Sequence, residues 1–225
     1  MSLREKSKEQ NRQKILNAAK EIIQKQGVEQ LSMRYLAEQA GVSLRTPYNL
    51  FGSKTDVLIA LVDEPLEEFQ SYITDIKTDL VLEVFFAIAD RSLAYYTANE
   101  SYYRGIYWEI MISEHKESRA QTLWRLEQTL LPIVTTAVVN RELDISVDVH
   151  VLNQNLVLVM IALAGLWGSG QISAQAVVNH TKYAWCTNFL YFSTRKSKPV
   201  LETLLQTIQK SLSNSLPLSQ FAHKG

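Results

Sequence analysis

Apolar side chains recur every three or four residues along almost the whole chain, the period of a helix rather than a strand. Over 9–26, EQNRQKILNAAKEIIQKQ, residues Ile15, Leu16, Ala19, Ile22 and Ile23 share one face, and Gly27 supplies a stop. Ser32 stands where an N-cap belongs, ahead of MRYLAEQA, and Gly41 closes that short helix. A second short helix follows GVS and ends at Gly52. Ser53 then opens SKTDVLIALVDEPLEEF, with Asp56 in the first turn and Pro65 expected to kink or break it. Further helices are predicted near 79–98, 101–114, 117–141, 146–168, 173–194 and 198–214. Strand-like alternation is confined to ISVDVHV at 145–151. The predicted fold class is all-α: a three-helix N-terminal unit with a helix-turn-helix, followed by a helical bundle.

The stretch GVSLRTPYNLFGSK at 41–54 carries the densest chemistry. Met33, Leu36 and Ala40 pack the first short helix, Val42 plugs the turn, and Phe51 anchors the second. Leu44, Arg45, Thr46, Tyr48 and Asn49 are thereby left near the start of the second helix and outward. A helix that reads the DNA major groove needs this arrangement, with its N-terminal residues at base edges. Arg pairs with guanine and Asn with adenine through two hydrogen bonds each, while Thr and Tyr reach phosphates or a thymine methyl. Pro47 fits near a helix start, where the missing N–H costs little. Either Ser43 is the N-cap and Pro47 removes the first backbone bond, or the chain re-caps at Thr46 with Pro47 first in the helix. Lys54 lies at a helix N-terminus, which disfavours a cation unless an anion such as phosphate comes to it. Ser53 caps this same terminus, and Ser32 marks another beside it.

Charge sharpens this picture only slightly. The net charge is zero, but residues 1–60 hold 10 Lys+Arg against 6 Asp+Glu, while 61–225 hold 13 against 17. A basic head on an acidic body suits a phosphate-rich partner at one end. Lys6, Lys8 and Arg12 add to that head. The one cysteine, Cys186, cannot form an intrachain disulfide, so a reducing, cytoplasmic setting is expected. No secretory signal peptide is expected. The longest apolar run, LVLVMIALAGLW at 156–167, is 12 residues; a span needs about 20, so a buried helix and no membrane partner are predicted.

The pattern LSMRYLAEQAGVSLRTPYNLFGSKTDVLIAL at 31–61, behind the helix at 9–26, resembles the DNA-binding region of TetR-type transcriptional regulators. Gly41, Val42, Ser43, Thr46, Tyr48, Phe51, Ser53, Lys54 and Leu58 carry the resemblance. Pro47 stands where the family usually has Leu, and Leu50 where it often has His. The resemblance implies a DNA-binding domain at 1–54 and a ligand-binding and dimerisation domain at 55–225. It implies backbone contacts from Thr46, Tyr48 and Lys54, with Ser32 beside them, and leaves Leu44, Arg45 and Asn49 for the groove. It further implies a homodimeric, ligand-responsive regulator, by default a repressor, on a palindromic double-stranded DNA operator.

In the body, the helices at 146–168 and 173–194 are apolar almost all round, with small residues along them: Ala164, Gly168, Ala176, Ala184 and Thr187. These are the expected dimer contacts. Tyr103, Tyr107, Trp108, Trp124 and Trp167, with Asn153 as a polar handle, are the expected lining for a small apolar or aromatic ligand, and His150 and Glu109 are further handles. The four histidines are scattered without ligand spacing, Cys186 has no motif partner, and GLWGSG at 165–170 follows a helix rather than a strand. No catalytic residue, metal or cofactor is therefore expected. A helical small-molecule carrier or enzyme, with the N-terminal unit as a docking element, and a non-specific architectural DNA binder remain the alternative readings.

Overall fold

Each stop and cap along the chain leaves a mark in the backbone of the computed structural model, which describes residues 2–62, 76, 78–112, 114 and 116–213. Pro65, His115 and His223 lie outside the described residues. The fold is all-α, with a single antiparallel bridge, Leu143 to Ser193, among the described residues. Two compact units emerge, neither contiguous: Met1–Glu68 with Glu100–Thr122, and Phe69–Asn99 with Leu123–Gly225.

The first unit begins with α1 (Leu3–Gln26), six residues before the periodic pattern starts. A reciprocal cap explains the extension. The Ser2 hydroxyl accepts from the Glu5 N–H at 3.2 Å, and the Glu5 carboxylate accepts from the Ser2 N–H at 2.6 Å. Ile15, Leu16, Ala19, Ile22 and Ile23 are all buried, and Gly27, at φ 91°, ends the helix. A 3-10 turn (Val28–Gln30) leads to α2 (Met33–Gln39), capped by Ser32 accepting from the Tyr35 N–H at 3.2 Å. Then come α3 (Arg45–Phe51) and α4, described over 54–62. Val57, Leu58 and Leu61 of α4 sit in the same core as Leu36 of α2. So do Tyr102, Ile106 and Ile110 of α6 (Glu100–Ile112). Gly105 lets α6 approach the 3-10 turn: a Cβ there would stand 3.2 Å from Val28 Cγ1.

Two glycines bracket α3 and are required for different reasons. Gly41 has φ 65° and open space where a side chain would go. Gly52 has φ 94°, and a Cβ would come 3.2 Å from Asp56 Oδ2, the carboxylate bonded to the Ser53 hydroxyl that caps α4. Gly41→Ala should therefore cost only the left-handed penalty, about 1–2 kcal/mol. Gly52→Ala adds a disturbed cap, for a total of about 2–3 kcal/mol. Chemical denaturation of the two variants checks the order; an equal loss would mean the Asp56 contact is inconsequential.

The second unit comprises α5 (Glu83–Ala98), most of α7 (Lys116–Val139), α8 (Val149–Gly168), α9 (Ala174–Tyr191) and α10 (Lys198–Ser213). Its core is aromatic. Phe85 meets Trp185 edge-on at 5.2 Å and Phe189 at 5.0 Å, all three fully buried. The Trp185 indole N–H donates to the Leu156 carbonyl at 3.0 Å, tying α9 to α8. Cys186 is fully buried, its thiol donates to the Leu201 carbonyl, and burial pushes its pKa up to about 11. A thiol so protonated is no nucleophile at neutral pH.

The predicted start of α8 at 146 moves to 149. Asp144 accepts from the Ser146 N–H, and Asp148 accepts from the N–H groups of His150 and Val151, so acidic caps occupy the intervening turn. The apolar run in α8 is also not the buried helix expected: only 28% of its apolar window is buried within this chain. Its length and composition would suffice to cross a membrane, but the periodic distribution of its buried residues is that of a helix packed on one side.

Candidate nucleic-acid interface

The seven residues of α3 and its N-cap, Leu44, divide cleanly. Pro47 is buried, and Leu50 and Phe51 pack partly buried on the core of the first unit. On the other side Leu44 is 51% exposed and Tyr48 52% exposed, with Arg45 and Asn49 exposed beside them. Spacings of one, four and five residues bring these four onto one helical face. Thr46 is half-buried, and its hydroxyl lies 2.9 Å from that of Ser43.

Leu44 already has helical dihedrals, φ −54° and ψ −31°, and the Ser43 carbonyl accepts from the Thr46 N–H at 2.9 Å. The N-cap is therefore Leu44, neither Ser43 nor Thr46, and the first turn closes on the Ser43 carbonyl. Pro47 has no N–H to give the Ser43 carbonyl, and the tighter Thr46 bond takes its place. The proline ring, meanwhile, packs inward. Pro47 thus tightens the first turn and anchors it, which holds Leu44 and Arg45 in fixed positions.

Neighbouring elements brace this helix. The Arg12 guanidinium of α1 lies 4.8 Å from the centre of the Phe51 ring, so Arg12, one of the residues of the basic head, stacks against the C-terminal end of α3. Gln26 donates from its side-chain amide to the Tyr35 hydroxyl at 3.0 Å and ties α1 to α2. Ser32 is exposed while its oxygen serves as the cap of α2. Lys54 does not stand free: its Nζ lies 2.9 Å from Glu109 Oε1 on α6, both side chains about one quarter exposed. Nothing local in the sequence pairs residues so far apart.

The residues expected to line a ligand site are divided between the units. Tyr103 and Tyr107 pack on the core of the first unit, and Trp108 is largely exposed. In the second unit Trp167 is fully buried, its ring 4.6 Å from that of Tyr96, whereas Trp124 is 60% exposed. Asn153 is buried. Its side-chain N–H₂ donates to the Glu127 carbonyl at 3.0 Å, and its Oδ1 meets no donor among the described residues. Of the expected dimer contacts, Ala164 is buried inside the second unit, while Gly168, Ala176, Ala184 and Thr187 are half-buried. The outer stripe of α8 carries Val151, Leu158 and Leu166, larger residues than the small ones the sequence singled out.

Comparison with known proteins agrees with this geometry. Residues 15–61 match the family described as bacterial regulatory proteins, tetR family. A stretch of 74 residues, 33% of this chain, is 31% identical to an HTH-type transcriptional regulator of Staphylococcus aureus (strain USA300) and spans 40% of that protein. The same fold runs through the crystal structure of Thermus thermophilus FadR, a TetR-family transcriptional repressor in complex with lauroyl-CoA. That likeness has a TM-score of 0.63 at 14% identity, over 92% of this chain and 97% of that one. RolR in complex with resorcinol is similar at TM-score 0.64 and 15% identity, over 94% and 97%. The segment that matches the tetR family lies within the first unit and contains α2, α3 and the described start of α4.

Proposed function

We propose that the chain is a sequence-specific transcriptional regulator, a homodimer that sets α3 of each copy into the major groove of a palindromic operator and leaves it when a small ligand binds. The observation that carries the DNA reading is the exposed face of α3, Leu44, Arg45, Tyr48 and Asn49, held by the buried Pro47. Side chains of these types read base edges when they project from the start of a helix. The excess of positive charge in residues 1–60 supplies the phosphate attraction. A DNA partner implies the cytoplasm.

Two observations in the second unit support the rest of the reading. The Asn153 Oδ1 and the Thr181 Oγ1 are buried without a hydrogen-bond partner among the described residues. Such an acceptor favours a ligand that brings an O–H or N–H into an apolar surround. The neighbours solved with resorcinol and with lauroyl-CoA are consistent with a ligand of mixed apolar and polar character. The outer stripe of α8 is apolar and uncovered in one chain, which a second copy would cover.

Selection from a random duplex pool, at near-physiological salt and without added ligand, tests the reading. An inverted repeat should be enriched. On that repeat Arg45→Ala should cost about 1–3 kcal/mol, concentrated at one base pair of each half-site. Uniform weakening across sequences would mark a non-specific binder instead, and no binding at all would remove DNA as the partner.

A further inference from the structure

We infer that Glu109 is an electrostatic latch on the DNA-reading unit: its carboxylate holds the Lys54 ammonium in the DNA-free protein, and operator binding exchanges that carboxylate for a backbone phosphate. The inference rests on the DNA reading above and concerns how that binding is restrained. Lys54 begins α4, at the end of the helix where backbone N–H groups concentrate partial positive charge. A cation is unfavourable there unless an anion joins it. Glu109 Oε1, 2.9 Å from Lys54 Nζ, is that anion in this structure. Its side chain reaches across from α6, which the burial of Tyr102, Ile106 and Ile110 and the tight approach at Gly105 fix against the same core.

Two anions then compete for one cation. Both partners are about one quarter exposed, so water and an incoming phosphate reach the pair without any helix unfolding. If phosphate takes over Lys54, the carboxylate is left nearby as an uncompensated negative charge beside the DNA. The opposite role, in which Glu109 aims Lys54 at the DNA, would require the carboxylate to stay bound as phosphate arrives. Like charge on the two acceptors opposes that. A latched Lys54 also contributes little net charge to counterion release, so the salt dependence reads the latch directly.

The experiment compares wild type, Glu109→Gln, Lys54→Gln and the double variant, all as full chains of matched thermal stability, on the enriched duplex over a salt series. Glu109→Gln keeps the shape and removes the charge. It should bind about 2- to 5-fold more tightly, the range expected for a partly exposed pair. Its log–log salt slope should steepen by up to about 0.9 for each chain bound. In the Lys54→Gln background the same change should gain clearly less, and that difference isolates the pair from the general repulsion between Glu109 and the DNA. Weaker or unchanged binding by Glu109→Gln, or an equal gain with and without Lys54, overturns the latch while leaving DNA recognition standing. Failure of the wild type to bind any duplex overturns both, and is distinguished by that wild-type measurement alone.

Discussion

Glu142→Ala is expected to destabilise the second unit by about 2–5 kcal/mol, a loss as large as that of a buried core side chain. Glu142 is a fully buried carboxylate just beyond the end of α7. One of its oxygens accepts from the Val81 N–H at 2.9 Å and the other from the Leu82 N–H at 3.0 Å. These amides precede α5 and have no helical carbonyl to bond, so a residue some sixty positions away caps the helix. The negative charge at that N-terminus is further favoured by the helix dipole. Lys196 stands 3.7 Å away and, being half exposed, can return to water when the carboxylate goes; the two amides cannot.

The backbone around Glu142 is equally occupied. Its carbonyl accepts from the Thr194 N–H at 3.2 Å and from the Ser197 hydroxyl, next to the Leu143–Ser193 bridge. Losing the side chain thus loosens the point where the start of α5, the end of α7 and the link from α9 to α10 meet. Glu142→Gln keeps the shape but offers one oxygen and turns an N–H₂ toward the second amide, so about half to most of the loss should persist. Urea denaturation gives the free energy, and a fall in Tm of roughly 4–15 °C should accompany the alanine variant. A Tm within about 1 °C of wild type would mean that water satisfies both amides and that the capping argument is wrong.

What could be read from the sequence was what local spacing encodes. The stops at Gly27, Gly41 and Gly52, the caps at Ser32 and Ser53, and the 3–4 periodicity between them located the helices of the first unit to within a few residues. The outward face of α3 followed from the inward one. Local spacing carries no record of partners brought together by tertiary packing. Glu109 and Lys54 lie on helices distant in the chain, and Glu142 caps a helix that starts some sixty residues before it. Tyr103 and Tyr107, expected to line a ligand site, pack partly buried on the first unit's core, which α6 approaches closely at Gly105. An apolar run likewise cannot say whether its burial lies within its own chain or against another surface, and only 28% of the apolar window of α8 is buried within this chain. The first two turns of α1 are encoded locally as well, in the reciprocal Ser2–Glu5 cap that lies ahead of the apolar periodicity.

Leu158→Arg is expected to separate the proposed dimer, and with it to abolish tight operator binding. On α8 the residues Val151, Asn155, Leu158, Ala162 and Leu166 are exposed at spacings of three and four, a continuous outer stripe opposite Leu152, Leu156 and Trp167 in the core. Leu158 is its middle large residue, 57% exposed in one chain, so replacing it leaves the second unit's own packing untouched. A two-fold axis crossing such a stripe brings the central residue near its own copy. Arginine would then meet arginine in a desolvated interface, a cost of several kcal/mol, or roughly 10²- to 10³-fold in dimer dissociation. Since each copy supplies one reading helix, a monomer holds only a half-site and gives up the gain from linked binding. Sedimentation over a range of concentrations, alongside binding to the full inverted repeat, should show a folded monomer with unchanged helix content and operator affinity reduced at least about 100-fold. Leu158→Ala, which removes area without adding charge, should fall between. An arginine variant that stays dimeric and still binds the repeat would place the interface on another face of the bundle, and would leave the uncovered apolar stripe of α8 for a different partner.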